Sequence, residues 1–180
     1  MSDKSLKSFK AQIVTISDSR STGERVDTVG PILTGILRET GAGLKDPIIV
    51  PDEKNEIVKT LIKLVDEDRI DLVITTGGTG LAPRDVTPEA TLEVISKEIP
   101  GLAELVRHEG GMKTAKAYLS RGIAGVRGSS LIINIPGSER GAVQSLEILL
   151  TLLPHALETL KGESHECGSK IGETDDIHTH

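Results

Sequence analysis

The 180-residue chain has 21 Lys and Arg against 27 Asp and Glu, a net charge of −6, and its residues are 37% hydrophobic. This balance is typical of one folded domain, and because no run of basic residues forms a stripe, we expect no nucleic-acid partner. The apolar runs are too short for a membrane span, the polar first ten residues carry no signal pattern, and the single cysteine excludes an internal disulfide, so we expect a cytoplasmic protein with no membrane partner.

The first half of the chain has the patterns of two strands, each followed by a helix. The predicted segments are a strand at 11–17 that ends in the polar turn 18–21, a helix from about Val29 to Gly41, a strand at 47–51 that places Asp52 at its carboxyl end, and a helix at 53–66.

The second half continues the alternation. Its predicted segments are a strand at 70–75, a helix from Thr87 that Pro100-Gly101 breaks, a second helix at about 102–108 that resumes to Leu119, a loop or small hairpin at 121–129, a strand at 131–135 and a helix at 140–160 that is bent or ended near Pro154.

Strands that alternate with helices of this length predict an α/β fold with a mostly parallel sheet and helices on both faces. In such sheets ligands bind beyond the carboxyl ends of the strands. The turns at 18–21, 52, 77–85 and 136–138 all follow predicted strands, so right-handed crossovers bring them to one rim. We therefore expect the functional site at this rim.

The loop Gly77-Gly78-Thr79-Gly80 follows the strand at 70–75. Its glycines let backbone N–H groups turn toward an anion, and Thr87 as N-cap with Pro88 at the first helical position adds the N-terminus of a helix. A carboxylate at Asp85 is repelled by phosphate unless a metal ion lies between them. The loop therefore predicts a phosphate–Mg²⁺ site, and a plain strand-to-helix turn is the alternative.

Other polar residues near this rim have two interpretations each. Asp52 either acts at the rim or caps the helix that begins at Glu53. The arginines at 84, 121 and 127 either clamp a phosphate or are solvated. Asp18 either binds a ligand or belongs to a turn held by its own hydrogen bonds.

Two common nucleotide motifs are disfavoured. The loop lacks the Gly-Lys-Ser/Thr of a P-loop, and Pro83 stands where a dinucleotide fingerprint has its third glycine. A zinc site built from the tail is disfavoured too, since the spacing of its candidate ligands matches no tight pairing. These candidates are His165, Cys167, His178 and His180.

Three stretches resemble the MogA/MoaB family of molybdenum-cofactor biosynthesis proteins, which also includes the G domain of gephyrin. They are TISDSRSTGERVD, TTGGTGLAPRDVTPEAT and YLSRGIAGVRGSSLIINIPGS. The resemblance implies a three-layer α/β domain over residues 8–162 that binds molybdopterin. It also implies a homo-oligomer, with a trimer favoured over a hexamer. Residues 1–7 and 163–180 are expected to be flexible extensions.

The activity that the resemblance implies is adenylyl transfer. A molybdopterin adenylyltransferase joins the phosphate of molybdopterin to the AMP part of ATP, with Mg²⁺, and releases pyrophosphate. Asp52 and Asp85 match the family's catalytic aspartates and are the expected metal ligands. The positions that match substrate contacts are Asp18, Ser19, Thr75, Thr76, Gly77, Gly78, Thr79, Gly80, Ser120, Pro136, Gly137 and Ser138.

Two other functions remain open. The same fold can serve as a silent oligomeric module that binds molybdopterin or a nucleotide, and it can support a different nucleotide reaction. The presence of both Asp52 and Asp85 favours the enzyme, because a pure binder gains nothing from acids that face phosphates.

Overall fold

A seven-stranded sheet forms the centre of the described residues, 5–162, of the computed structural model. The strands are β1 (Lys10–Ile16), β2 (Gly43–Leu44), β3 (Ile48–Val50), β4 (Leu72–Thr76), β5 (Lys97–Glu98), β6 (Ala124–Arg127) and β7 (Ser130–Ile135). The helices are α1 (Asp18–Ser21), α2 (Val29–Glu39), α3 (Lys54–Ile62), α4 (Thr87–Val94), α5 (Pro100–Gly111), α6 (Glu139–Leu149) and α7 (Leu153–Leu160). A π-helical turn over Lys63–Glu67 continues α3, and a 3₁₀ turn covers Ala115–Leu119.

The strands β1, β4 and β7 lie side by side and parallel in the middle of the sheet. Their register places Thr15 opposite Thr76 and Thr76 opposite Ile135, while β3 places Val50 opposite Ile16. The carboxyl ends of these four strands therefore align at one edge. The rim predicted from the order of strands and turns is confirmed.

Helices cover both faces of the sheet because side chains alternate along each central strand. Ile13 and Leu72 pack into one apolar cluster with α2, α5, α6 and α7. Val14 and Val73 pack into a second cluster with α3 and α4. Each fully buried side chain of this size stabilises the fold by roughly 1.5–3 kcal/mol relative to exposure. The predicted three-layer α/β fold is thus confirmed.

Two helices differ in detail from the sequence-based expectation. Thr87 is not the N-cap of α4 but its first residue, and its Oγ1 donates to the carbonyl of Gly77 at 2.9 Å. A local pattern cannot show this long-range partner. The helix expected over 140–160 is two helices, α6 and α7, and Pro154 lies in the first turn of α7.

Residues 121–129, expected to be a loop or a small hairpin, lie near one edge of the sheet. The strands β6 and β7 pair antiparallel, so residues 121–129 form part of a hairpin. The helix expected to resume toward Leu119 is the 3₁₀ turn after α5.

The described part of the chain includes the predicted N-terminal boundary of the domain. Leu6 is completely buried and its N–H donates to the carbonyl of Thr40 at 2.9 Å, so packing extends before the expected boundary at residue 8. Residues 1–4 and the tail 163–180, including its His and Cys residues, lie outside the described residues. Within 5–162, none of the helices has the length and apolar character needed to cross a membrane.

Candidate active site

Two aspartates join the turns that follow β1 and β3. The N–H of Asp18 donates to Asp52 Oδ2 at 2.8 Å, and the N–H of Asp52 donates to Asp18 Oδ1 at 2.9 Å. The N-cap of α3 is Glu53, which makes no side-chain cap bond. The helix-cap interpretation of Asp52 is therefore wrong, because its carboxylate bonds across the rim instead.

Asp52 lies in an acidic corner. Burial raises its pKa above the ordinary value of 3.8, and the charges of Asp18 and Asp85 raise the pKa further. The N–H of Asp18 and the charge of Arg84 act in the opposite direction and are outweighed. A nearby cation would favour the ionised form of such a carboxylate. The corner is thus electrostatically suited to a positive charge.

Arg84 covers this corner from the loop before α4. Its Nε and Nη2 bind the Asp18 carboxylate at 2.9 to 3.1 Å, and its Nη1 binds Glu53 Oε1 at 2.8 Å. The arginine side chain is 56% exposed, so these ion pairs add little stability. Guanidinium groups bind phosphates as well as carboxylates.

The glycine loop fits its neighbours only without side chains at two positions. Gly77 has φ 106° and a Cβ there would collide with the carbonyl of Ile16, while Gly78 has φ 62° and a Cβ there would collide with Thr87 Oγ1. Gly137 approaches from the turn after β7, where a Cβ would lie 2.9 Å from Gly77 Cα. The two turns are therefore packed backbone to backbone.

The backbone donors of this loop are free for a ligand. Among residues 5–162, the N–H groups of Gly78, Thr79, Gly80 and Leu81 have no hydrogen-bond acceptor. Successive backbone N–H groups without protein partners, at the rim of a mostly parallel sheet, are the donors from which concave phosphate sites are built. The loop therefore has the hydrogen-bonding capacity that its sequence predicted.

Two carboxylates flank the loop. Asp85 Oδ2 accepts the N–H of Ala82 at 2.8 Å and would lie 2.7 Å from a Cβ on Gly80. Asp52 Oδ1 would lie 3.1 Å from a Cβ on Gly78. In the described part of the chain, no three His, Cys, Asp or Glu residues form a group that could hold a metal ion. A metal ion beside these aspartates therefore needs further ligands from a bound phosphate.

A cavity of about 360 Å³ opens beside the loop. Thr79, Ser120 and Ser138 give it hydroxyl groups, Leu119 and Pro136 give it apolar walls, and its remaining lining residues are Gly80, Thr114, Lys116, Ala117 and Gly141. A pocket with apolar walls and a few polar groups is typical of small-molecule sites. A larger depression of about 570 Å³ elsewhere is lined by none of the predicted site residues.

The side chains of Thr75, Thr76 and Ser19, all predicted substrate residues, lie against partners inside the protein. Thr75 and Thr76 are buried, with Thr75 Oγ1 accepting from Asn134 Nδ2 at 2.9 Å and Thr76 Oγ1 donating to the carbonyl of Pro136 at 2.7 Å. The Oγ atoms of Ser19 and Ser17 lie 3.4 Å apart. These side chains therefore bond within the protein and stabilise the strand ends and turns that form the rim.

The arginines divide into different environments. Arg127 binds Asp66 and the carbonyl of Val94, away from the glycine loop. Arg121 instead binds three carbonyls of the loop that holds Asp85. The sequence suggested that Arg121 either clamps a phosphate or is solvated, and it did not indicate this supporting position. The position depends on contacts 36 residues apart for the Asp85 carbonyl and 41 for that of Gly80.

Other features were absent from the sequence-based set. Asn134 is buried in β7 and also donates to Thr91, which links β4, β7 and α4. Its signal was a single amide inside the apolar run LIINI. Lys116 lines the cavity from the 3₁₀ turn, and no local pattern distinguished it from other exposed lysines.

The fold and site together define a class: α/β domains that carry a glycine loop with free backbone N–H groups at the carboxyl rim of a mostly parallel sheet. Comparison with known proteins identifies the family within that class. A family described as a probable molybdopterin binding domain matches residues 12–155, so the chain belongs to this family. The resemblance stated from the sequence motifs is confirmed.

Individual relatives agree with this assignment. The molybdopterin adenylyltransferase of Helicobacter pylori strain J99 is 39% identical over 163 residues, which cover 88% of this chain and 91% of the relative. The molybdenum cofactor synthesis protein cinnamon of Drosophila melanogaster is 42% identical over 156 residues, 86% of this chain but only 26% of that protein. The crystal structure of the molybdopterin biosynthesis enzyme MoaB from Thermus thermophilus has a TM-score of 0.76 and 50% identity, covering 86% of this chain and 97% of that one.

Proposed function

We propose that this chain is a molybdopterin adenylyltransferase of molybdenum cofactor biosynthesis. The observation that carries the proposal is the convergence of Asp52 and Asp85 on a loop with four free N–H groups. The adjoining cavity of about 360 Å³ is of a size suited to a small heterocycle. The relative from Helicobacter pylori that bears this enzyme name spans nearly the same length.

The reaction suits a site without a nucleophilic side chain. An oxygen of the molybdopterin phosphate attacks the α-phosphorus of ATP, a new P–O bond forms, and the bond to the β-phosphate breaks with its electron pair leaving on pyrophosphate. A phosphate monoester has a second pKa of about 6, so the attacking oxygen is already ionised near neutral pH. The protein's task is therefore to align two anions and offset their repulsion.

The free N–H groups of the glycine loop supply much of that compensation. Donors that are already oriented stabilise developing charge without reorganising during the reaction. We assign Gly77, Gly78, Thr79 and Gly80 to the phosphates of the substrates. Pro136, Gly137 and Ser138 approach the same loop from β7 and share this role.

Three polar residues are assigned to the pterin. Ser120 lines the cavity, whereas Asp18 and Ser19 lie on the neighbouring turn that bonds to Asp52. Thr75 and Thr76 keep their assignment to the site, but as buried supports of the loop rather than direct side-chain contacts.

Asp52 and Asp85 fit the magnesium ion that this reaction implies. Mg²⁺ usually takes one or two carboxylates and completes its shell with waters and substrate phosphates. Two acids beside the glycine loop, in a region where no three His, Cys, Asp or Glu residues of 5–162 form a group that could hold a metal ion, match this pattern. When bound, the ion would neutralise phosphate charge and polarise the reacting group.

Assembly and location are part of the same proposal. We propose that the domain over residues 8–162, extended at its N-terminal end by the packed Leu6, forms a homo-oligomer, with a trimer favoured over a hexamer, in the cytoplasm. Exposed apolar side chains such as Val26, Leu81 and Met112 are available to an interface. Light scattering coupled to size-exclusion chromatography measures the number of subunits.

The deciding experiment is a turnover assay. Purified protein is mixed with molybdopterin, ATP and Mg²⁺, and both pyrophosphate and adenylylated molybdopterin are quantified. We expect the two products in equal amounts. Tight binding of both substrates with neither product would indicate the silent binding module instead, and pyrophosphate without adenylylated molybdopterin would indicate a different nucleotide reaction.

A further inference from the structure

Arg121 holds both ends of the loop between β4 and α4. Its backbone N–H donates to the carbonyl of Thr79 at 2.8 Å. In its side chain, Nε donates to the carbonyl of Gly80 at 2.7 Å and Nη2 donates to the carbonyl of Asp85 at 2.5 Å. Residues 81–84 between these points are exposed, and their other contacts are the Ala82–Asp85 hydrogen bonds of the turn and the surface ion pairs of Arg84. Arg121 therefore ties the exposed segment to the rest of the protein at both of its ends.

These bonds determine where the free donors of the loop point. In a planar trans peptide, the C=O and the following N–H are antiparallel, and no cis peptide occurs in residues 5–162. Since the carbonyls of Thr79 and Gly80 face Arg121, the N–H groups of Gly80 and Leu81 face away from it. Those two N–H groups lack an acceptor among the described residues. Arg121 thus orients the donors from behind the loop.

The same guanidinium connects the other parts of the site. It fixes the backbone of Asp85, and Arg121 follows directly after Ser120, which lines the cavity. Glu89 on α4 holds the guanidinium in place through an ion pair, and hydrogen bonding to Arg121 lowers the Glu89 pKa. Hydrogen bonds from a charged donor are stronger than neutral ones, so this arrangement is well suited to resist distortion.

We propose that Arg121 is a positioning residue whose guanidinium pre-orients the Leu81 N–H group and the Asp85 backbone for a polyphosphate ligand, while its backbone N–H orients the Gly80 N–H group through the carbonyl of Thr79. The identity of that ligand as ATP rests on the proposed function. The orientation of the donors does not, because it follows from the peptide geometry alone. Arg121 itself need not contact the ligand.

The test compares Arg121→Lys with a matched control, Arg127→Lys. The Arg127 side chain binds one carboxylate and one backbone carbonyl away from the glycine loop, those of Asp66 and Val94, whereas the Arg121 side chain binds one carboxylate and two backbone carbonyls. A lysine keeps the positive charge but cannot bridge several fixed acceptors as the planar guanidinium does. The readouts are calorimetric affinity for ATP with Mg²⁺ and for inorganic tripolyphosphate, beside the thermal unfolding of each variant.

We expect Arg121→Lys to weaken binding of both anions by about 10- to 100-fold. This is the scale observed when residues that orient metal ligands through hydrogen bonds are replaced. Arg127→Lys should bind as the wild type does, although both variants lose similar bonds. Equal affinities in the two variants would overturn the inference, because Arg121 would then be only structural. Absence of anion binding by the wild type would overturn it as well.

Glu89→Gln keeps the test decisive if Arg121→Lys does not fold. This variant leaves Arg121 and its carbonyl partners in place but weakens the hold on the guanidinium, so we expect a smaller loss of affinity in the same direction. Unchanged affinity in Glu89→Gln, with Arg121→Lys unfolded, would reject the inference. A wild type that binds ATP but makes no adenylylated molybdopterin would contradict the proposed function alone.

Discussion

Asp18 and Asp52 each accept the backbone N–H of the other, at 2.9 and 2.8 Å, although they are 34 positions apart in the chain. This reciprocal pair connects the turn after β1 to the turn after β3. Asparagine can accept the same N–H through its carbonyl oxygen. The charge of Asp52 can therefore be removed while most of the geometry of the rim is kept.

The first prediction concerns catalysis by Asp52. Asp52→Asn should slow adenylyl transfer by roughly 10²–10³, the scale for loss of one electrostatic contact in a preorganised site. Substrate binding should change much less. Single-turnover formation of adenylylated molybdopterin measures the effect, with Asp46→Asn as control because its side chain is 95% exposed. Normal turnover in Asp52→Asn would return this residue to a structural role.

The second prediction concerns stability and pH. Burial raises the Asp52 pKa above 3.8, so the folded state binds this proton more tightly than the unfolded state. The contribution of Asp52 to stability is therefore complete below about pH 3.8 and is lost as pH rises through the raised pKa. Asp52→Asn should gain stability relative to the wild type over this window. Thermal unfolding of both proteins from acid to neutral pH tests this sign. A fall in the melting temperature of Asp52→Asn relative to the wild type as pH rises would contradict it.

The third prediction concerns Asp85. Asparagine in its place can still accept the N–H of Ala82, so the turn before α4 should survive the change. We expect Asp85→Asn to slow turnover by roughly 10²–10³ and to leave thermal unfolding nearly unchanged. Rate and unfolding are measured on the same preparation. Full activity in both Asp85→Asn and Asp52→Asn would remove the metal-assisted mechanism.

Sequence patterns predicted the rim because strand ends and turns are local signals. Apolar runs located β1, β3, β4 and β7, and the glycines of the loop showed where the backbone needs unusual conformations. Gly77 and Gly78 do have positive φ. Knowing that parallel strands align their carboxyl ends was then enough to bring Asp18 and Asp52 to one place.

What the sequence could not show is which atoms bond across long separations. Thr87 reads as an N-cap from its position before Pro88, yet its hydroxyl donates to the carbonyl of Gly77. The role of Arg121 likewise depends on contacts 36 and 41 residues apart along the chain. Such partners depend on the packed fold and leave no periodic signal in the chain.

The fourth prediction concerns the glycine loop. Gly78→Val should abolish ATP binding and lower the melting temperature, because Gly78 has φ 62° and a Cβ there would meet Thr87 Oγ1. Left-handed backbone costs a non-glycine residue about 1–2 kcal/mol, so the variant should still fold. Gly35→Ala is the control, since nothing lies within 4 Å of its new Cβ on α2. Normal ATP affinity in folded Gly78→Val would show that the loop is only a strand-to-helix turn and does not bind the phosphates.

The last prediction concerns the class of ligand. The chain has a net charge of −6 but a loop with free N–H groups, so a compact polyphosphate should bind and a long nucleic acid should not. ATP with Mg²⁺ should stabilise the folded state by about 2.7 kcal/mol at a hundredfold excess over its Kd, which raises the melting temperature. Duplex DNA under the same conditions should leave the melting temperature unchanged. A clear shift with DNA and none with millimolar ATP would reverse the assignment of the rim as a nucleotide site.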